Sequence, residues 1–314
     1  MLSRKPYRHP EPSAASSSPA AQAATPGTAH LGIPDIRILP AEALVLHEHA
    51  DPKRVARLAN RLRVDGFLKN PPIVAPIPGT ERFVVLDGAN RTSALMQLGT
   101  AHLLVQVVDY KTQVELLTWH HLVAGKSPEA FLQEITQVRG LVLYPTTIEQ
   151  ARQALDKRAI LAYLSIPTNK AASSVYMIDG EPGTDHHGAE ASTALLNAMV
   201  DTYKGDPQVT IYRVNSDELT DLSAYYDNVS GLVVFPSYTP DDILALAEAG
   251  TKVPTGITRH IISHRALRVN VPLAILESDQ LLSEKNAWWR DQLKSKLATN
   301  QIRLYQESTY LFDE

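Results

Sequence analysis

The chain has 314 residues, 44% hydrophobic and 20% charged, with a formal net charge of −4. That length suits two globular domains, and the acidic balance argues against nucleic acid as the main partner. The absence of cysteine excludes disulfides, zinc–thiolate sites, iron–sulfur clusters and thiol nucleophiles.

Residues 1–30 are rich in Ala, Ser and Pro and show no periodicity. They are predicted to be a disordered tail. Arg4, Lys5 and Arg8 are followed by no apolar stretch, so no secretory signal is expected. No apolar run approaches the roughly 20 residues of a membrane span, and a cytoplasmic location is expected.

Order is predicted from near Ile33. Ile36–Leu39 reads as a short strand. Asp51-Pro52 opens a helix, with Asp as N-cap and Pro in the first turn. Val55, Leu58, Ala59 and Leu62 form its apolar stripe, and Gly66 ends it. Ile73–Ile77 and Arg82–Asp87 read as strands joined by the turn Pro78-Gly79-Thr80-Glu81. A helix follows Asp87 and stops at Gly99; Leu103–Val108 is a strand. Val114, Leu117 and His121 predict a helix over 112–123. Residues 31–125 are thus expected to form one α/β unit.

A second α/β unit is expected over 126–280. Helices are predicted at 148–157, 189–203 and 241–249. Strands are predicted at 175–178, 209–214 and 232–235, with a strand-like run over 269–276. Trp288, Trp289, Leu293 and Leu297 predict a closing helix within 281–314. Alternation of strands and helices makes the class α/β.

The stretch Asp87-Gly88-Ala89-Asn90-Arg91-Thr92 carries the most chemistry. A β-branched strand stops at a carboxylate and a glycine, and a helix begins at once. Its plain reading is a solvated turn with a helix cap. Its functional reading is a phosphate cradle of free backbone N–H groups at a helix N-terminus. Arg91 offers a guanidinium fork, Thr92 a hydroxyl and Asp87 a carboxylate for Mg²⁺.

Other candidates carry two readings as well. His47-Glu48-His49 is either a solvated loop or a metal pair, and Glu48 has a third use as general base toward a hydroxyl. Trp119 is either a core aromatic or the wall of a small pocket, while His121 reads as core. Thr258-Arg259-His260, near His264, Arg265 and Arg268, is a basic loop or an anion site at a strand mouth. Asp185-His186-His187 lacks a spaced third ligand and reads as a loop. Gly125-Lys126-Ser127 resembles the end of a P-loop, but His120 stands where that motif needs glycine.

Two separated boxes carry a family resemblance. The first runs through Leu46-His47-Glu48, Asp51-Pro52, Pro71-Pro72-Ile73-Val74 and Val85-Leu86-Asp87-Gly88-x-x-Arg91-x-x-Ala94-Leu95. It resembles the ParB/sulfiredoxin-type domain. With Gly256-Ile-Thr258-Arg259-His260 and Arg265-Ala-Leu-Arg268-Val-Asn270 it resembles the free L-serine kinases. The resemblance spans roughly residues 33–276. It implies transfer of the terminal phosphoryl group of ATP or ADP to L-serine, giving O-phospho-L-serine; on chemical grounds Mg²⁺ is expected to supply positive charge beside the phosphates.

The resemblance also implies roles. Glu48 matches a base on the serine hydroxyl. Residues Asp87, Gly88, Ala89, Asn90, Arg91 and Thr92 match the phosphate box, and Trp119 an aromatic beside the substrate. Thr258, Arg259 and His260 match residues that hold the amino acid. Asn90 departs from the family histidine, so no proton can be carried there near neutral pH. Sulfiredoxin chemistry is removed by the lack of cysteine. A ParB-like nucleotide-dependent DNA-binding or regulatory protein is the alternative; it requires a helix-turn-helix after the first unit.

Overall fold

The computed structural model describes residues 32–169, 172–183 and 188–305. The expected tail over 1–30 and the Asp185-His186-His187 loop lie outside the described residues. The fold is mixed α/β, as alternation of elements implies.

The first sheet has five strands: β1 (Asp35–Pro40), β2 (Leu44–Leu46), β4 (Ile73–Pro76), β5 (Phe83–Asp87) and β6 (His102–Val107). They lie in the order β1-β6-β4-β5-β2. β6 pairs parallel with β4 and β5 parallel with β2, whereas the other two pairings are antiparallel. The helices α1 (Pro52–Asp65) and α2 (Ala89–Gln97) pack on each other, and β3 (Phe67–Leu68) follows α1. Helix α1 begins where expected, with the Asp51 carboxylate accepting from the N–H groups of Lys53 and Arg54. Gly66 ends it at φ 71°, a left-handed conformation that costs glycine little. Val55, Ala59 and Leu62 are its buried face, and Leu58 is half-buried.

The second sheet is antiparallel, with six strands in the order β12-β8-β13-β10-β11-β9. These are β8 (His120–Ala124), β9 (Leu141–Thr146), β10 (Ala162–Asn169), β11 (Ala172–Gly180), β12 (Thr210–Val214) and β13 (Val229–Val234). Helices α3 (Pro128–Thr136), α4 (Ile148–Asp156), α5 (Ala189–Tyr203), α6 (Leu219–Leu222) and α7 (Pro240–Glu248) accompany them. Phe131, Met199, Tyr203 and Ile243 are fully buried in the larger core.

The helix expected over 112–123 is instead two strands, β7 (Val114–Thr118) and β8. Along β7, half-buried and exposed residues alternate, with Glu115 and Leu117 facing out. β8 is buried on both faces, so its apolar run mimics a helix stripe. Likewise, the strand expected over 269–276 is a two-residue bridge, β15 (Val271–Pro272), followed by the short helix α8 (Leu273–Glu277). Between α3 and α4 stands strand β9, so residues 126–165 form no helix-turn-helix.

Two connections tie the sheets together at one seam. β14 (Thr258–Ile262) pairs antiparallel with β7. The Val253 N–H donates to the His47 carbonyl at 2.8 Å, and the Thr255 hydroxyl donates to the His49 carbonyl at 2.7 Å. The chain then returns to the first sheet. Helix α9 (Leu282–Ala298) lies on β1, where Trp289 is buried and its indole N–H donates to the Ile36 carbonyl at 2.8 Å.

Candidate active site

β5 delivers Asp87 to the seam. Gly88 then turns at φ 94° and caps α2. A Cβ there would sit 3.3 Å from Pro72 Cα, in a backbone conformation that L-residues disfavour. No side chain caps α2, so its first N–H groups are open to an anion. The start of α1 is held beside it: the Asp51 N–H donates to the Asn90 side-chain oxygen at 2.8 Å. Asn90 thereby aligns two helix N-termini and keeps its NH₂ group for other partners.

Two adjoining cavities open at this point. The inner one has a volume of about 170 Å³. Glu48, Asp87, Gly88, Trp119, Thr258, Arg259 and His260 are among its lining residues. The outer one is about 540 Å³, within the range of small-molecule sites. It is bordered by Asp87, Gly88, Ala89, Asn90 and Arg91, and by Leu58, Leu62 and Phe67. Its other walls bring Arg54, Arg61, Lys69 and Arg268; Asp65 pairs with Lys69 at 3.1 Å and lies 3.9 Å from Arg61, yet cations still outnumber carboxylates around the groove despite the acidic net charge. Glu48, Asp87, Gly88 and Arg213 border both cavities.

Within the inner cavity each group has a fixed neighbour. One Glu48 oxygen accepts the Gly256 N–H at 2.9 Å. The Arg259 guanidinium lies 4.3 Å from the centre of the Trp119 ring, a cation–π contact. His47 is buried beneath. Its Nδ1 is 2.6 Å from the Val85 carbonyl, which can only accept, so Nδ1 carries the proton. Its Nε2 therefore accepts from the Thr258 hydroxyl at 2.9 Å, leaving the Thr258 oxygen lone pairs for a ligand. Burial holds His47 below the usual histidine pKa, against the opposing charge of Glu48. Burial also holds His260 well below that value, and His47 and Arg265 add to the effect. His260 is thus neutral and meets Tyr110 at 2.8 Å.

Asp87 faces Arg265 at 3.3 Å and Arg91 at 4.0 Å. Arg91 directs one nitrogen to the carbonyls of Asn70 and Pro71, at 2.6 and 3.3 Å. Thr92 differs from its expected place. Its side chain is fully buried, its hydroxyl has no hydrogen-bond partner, and it does not border the groove. Among the described residues no three acidic or histidine side chains gather into a metal cage. A magnesium ion on a nucleotide needs no such cage, because phosphate oxygens and water complete its shell around one or two carboxylates. Asp87, at the junction of the cavities, fits that demand.

The separated motifs therefore meet: Glu48, the Asp87 box, Trp119 and the Thr258-Arg259-His260 run surround one cleft. His121 lies in the core, with Nδ1 2.9 Å from the Tyr203 hydroxyl. Gly125-Lys126-Ser127 also has a structural role: Ser127 caps α3, and Lys126 pairs with Glu134 and Asp206. The residues that sequence reasoning missed are Arg213, Arg54, Arg61 and Lys69. Their only signal is charge at scattered positions, since distant elements assemble the groove.

No protein-family model matches the chain. It is 26% identical over 282 residues to the ATP-dependent L-serine kinase SbnI of Staphylococcus aureus, covering 89% of this chain and 97% of that protein. The chain is similar to the free L-serine kinases along most of its length. An ATP-dependent L-serine kinase of Staphylothermus marinus is 24% identical, over 75% of this chain and 89% of its own. A solved free serine kinase in complex with AMP shares the fold, with a TM-score of 0.64 at 17% identity over 79% of this chain and 98% of that one.

Proposed function

We propose that this protein is a free L-serine kinase, transferring the terminal phosphoryl group of ATP or ADP to L-serine. The observation that carries the reading is the paired cavity: a small polar pocket opening, at Glu48 and Asp87, into a larger groove rich in cations. The likeness to L-serine kinases supports it from sequence.

Serine fits the inner pocket. Arg259 takes its carboxylate, and the Thr258 oxygen accepts from its ammonium group. Neutral His260 contributes hydrogen bonding rather than charge. Glu48 takes the hydroxyl proton as the serine oxygen attacks phosphorus. The bond between phosphorus and the nucleotide's bridging oxygen breaks, and the electron pair leaves with the nucleotide. Such transfer depends on positioning and charge neutralisation more than on covalent help.

The outer groove takes the nucleotide. The open start of α2 and the Gly88 turn receive its phosphates, and Leu58, Leu62 and Phe67 offer apolar surface to the base. Asp87 would hold a magnesium ion arriving with the nucleotide, which neutralises phosphate charge. Arg265, now beside Asp87, stands near the same phosphates. The direct test is formation of phosphoserine from L-serine, Mg²⁺ and each nucleotide, read by mass spectrometry.

A further inference from the structure

Arg213 extends from β12, the edge strand of the second sheet, into the seam between the cavities. Three neighbouring cations are already engaged, and Arg54 and Arg268 border the outer groove alone, whereas Arg213 borders both cavities. Arg91 donates to the Asn70 and Pro71 carbonyls, Arg265 pairs with Asp87, and Arg259 lies on Trp119. Arg213 makes no hydrogen bond or ion pair with any of the described residues, although it borders the same two carboxylate-lined cavities.

Its placement depends on Gly256. A Cβ built there would lie 2.2 Å from Arg213 Nη2 and 2.4 Å from both Cζ and Nε. Near-equal distances to three guanidinium atoms mean that the flat group lies across the Gly256 Cα. The same glycine donates its N–H to Glu48 at 2.9 Å. One side-chain-free residue therefore seats both the candidate base and an unpaired cation.

We infer that Arg213 is a further catalytic residue, its guanidinium contacting the phosphoryl group as it passes from nucleotide to serine. The inference rests on the serine-kinase reading above. In that step the serine O–P bond forms, the P–O bond to the nucleotide breaks with its electron pair, and the hydroxyl proton goes to Glu48. Negative charge spreads over the three equatorial oxygens of the moving group. A guanidinium with five fixed donors stabilises that arrangement more than the ground state. A residue used this way changes kcat more than substrate binding.

The test uses the full chain as wild type, Arg213→Ala and Arg213→Lys. Phosphoserine formation gives kcat and the KM for serine, and calorimetry gives the nucleotide Kd. The expected result is a fall in kcat of at least about 100-fold in Arg213→Ala, partly restored in Arg213→Lys, with KM and Kd moving less than about fivefold. A kcat within about threefold of wild type, or a loss confined to KM or Kd, overturns the inference while leaving the kinase reading intact. A wild-type protein that forms no phosphoserine overturns the kinase reading, and this inference with it.

Discussion

Glu48 and Thr258 face one small cavity with complementary duties. Glu48 keeps a carboxylate oxygen beside the Gly256 N–H, and the Thr258 hydroxyl donates its hydrogen bond to His47 and so turns an acceptor inward. Glu48→Gln preserves shape and removes the carboxylate proposed as base. It is expected to lower kcat by about 10²–10⁴-fold with nucleotide affinity unchanged, and equal activity would remove Glu48 from the mechanism. Arg259→Ala should raise the KM for serine more than that for nucleotide; the reverse would move Arg259 to the phosphate side. Thr92 offers a contrast. Because its hydroxyl is buried without a partner, Thr92→Val is expected to keep nucleotide affinity and to gain up to about 1 kcal/mol of stability in urea titrations. Lost nucleotide binding in that variant would return Thr92 to the phosphate cradle.

At the scale of elements, the site is two helix starts held side by side. Asp51 caps α1, and its own N–H reaches Asn90 in the first turn of α2. Asp51→Ala is predicted to cost about 1 kcal/mol in chemical unfolding, the usual worth of an N-cap. Elements with local signals were legible. Asp51, Pro52 and Gly66 mark α1 because caps are decided by adjacent residues. The Asp87-Gly88 turn was visible for the same reason, as was α5, which spans the expected 189–203. β7 and β8 were not: β8, buried on both faces, has no period of its own, β7 is only five residues of half-buried and exposed alternation, and Val114, Leu117 and His121 match a helix by chance across the two. The cationic wall of the groove was equally hidden. Arg54 and Lys69 stand at the start of α1 and after β3, and Arg213 lies far along the chain on β12, so the three border one groove only in the folded protein.

Across the whole molecule, the proposed function depends on two sheets meeting at one seam. The first brings Glu48 and the phosphate turn, and the second brings Arg213; Trp119 and the strand β14 join them. Burial keeps several histidines neutral here and in the adjoining core. His121 is lowered to about 3 and His120 to about 4, both chiefly by burial, and His47 and His260 are lowered too. Their folded pKa values lie below the unfolded value near 6.5, so the unfolded chain binds more protons as pH falls. Their contribution to stability is thus intact above that pH and is lost below it. The loss is expected to approach about 1.4 kcal/mol per pH unit for each histidine that stays neutral, before most carboxylates titrate. Thermal unfolding between pH 7.5 and 5 measures it; a flat Tm would show that these rings protonate freely in the folded protein.

The seam is proposed to join an amino-acid pocket to a nucleotide groove. The most direct measurement is mass spectrometry of the products after incubation with L-serine, Mg²⁺ and ATP or ADP, with Glu48→Gln alongside. O-phospho-L-serine is expected from at least one nucleotide with the wild type, and a loss of about 10²-fold or more in the variant. Nucleotide consumption indifferent to serine, or no phosphoserine from either donor, would contradict it.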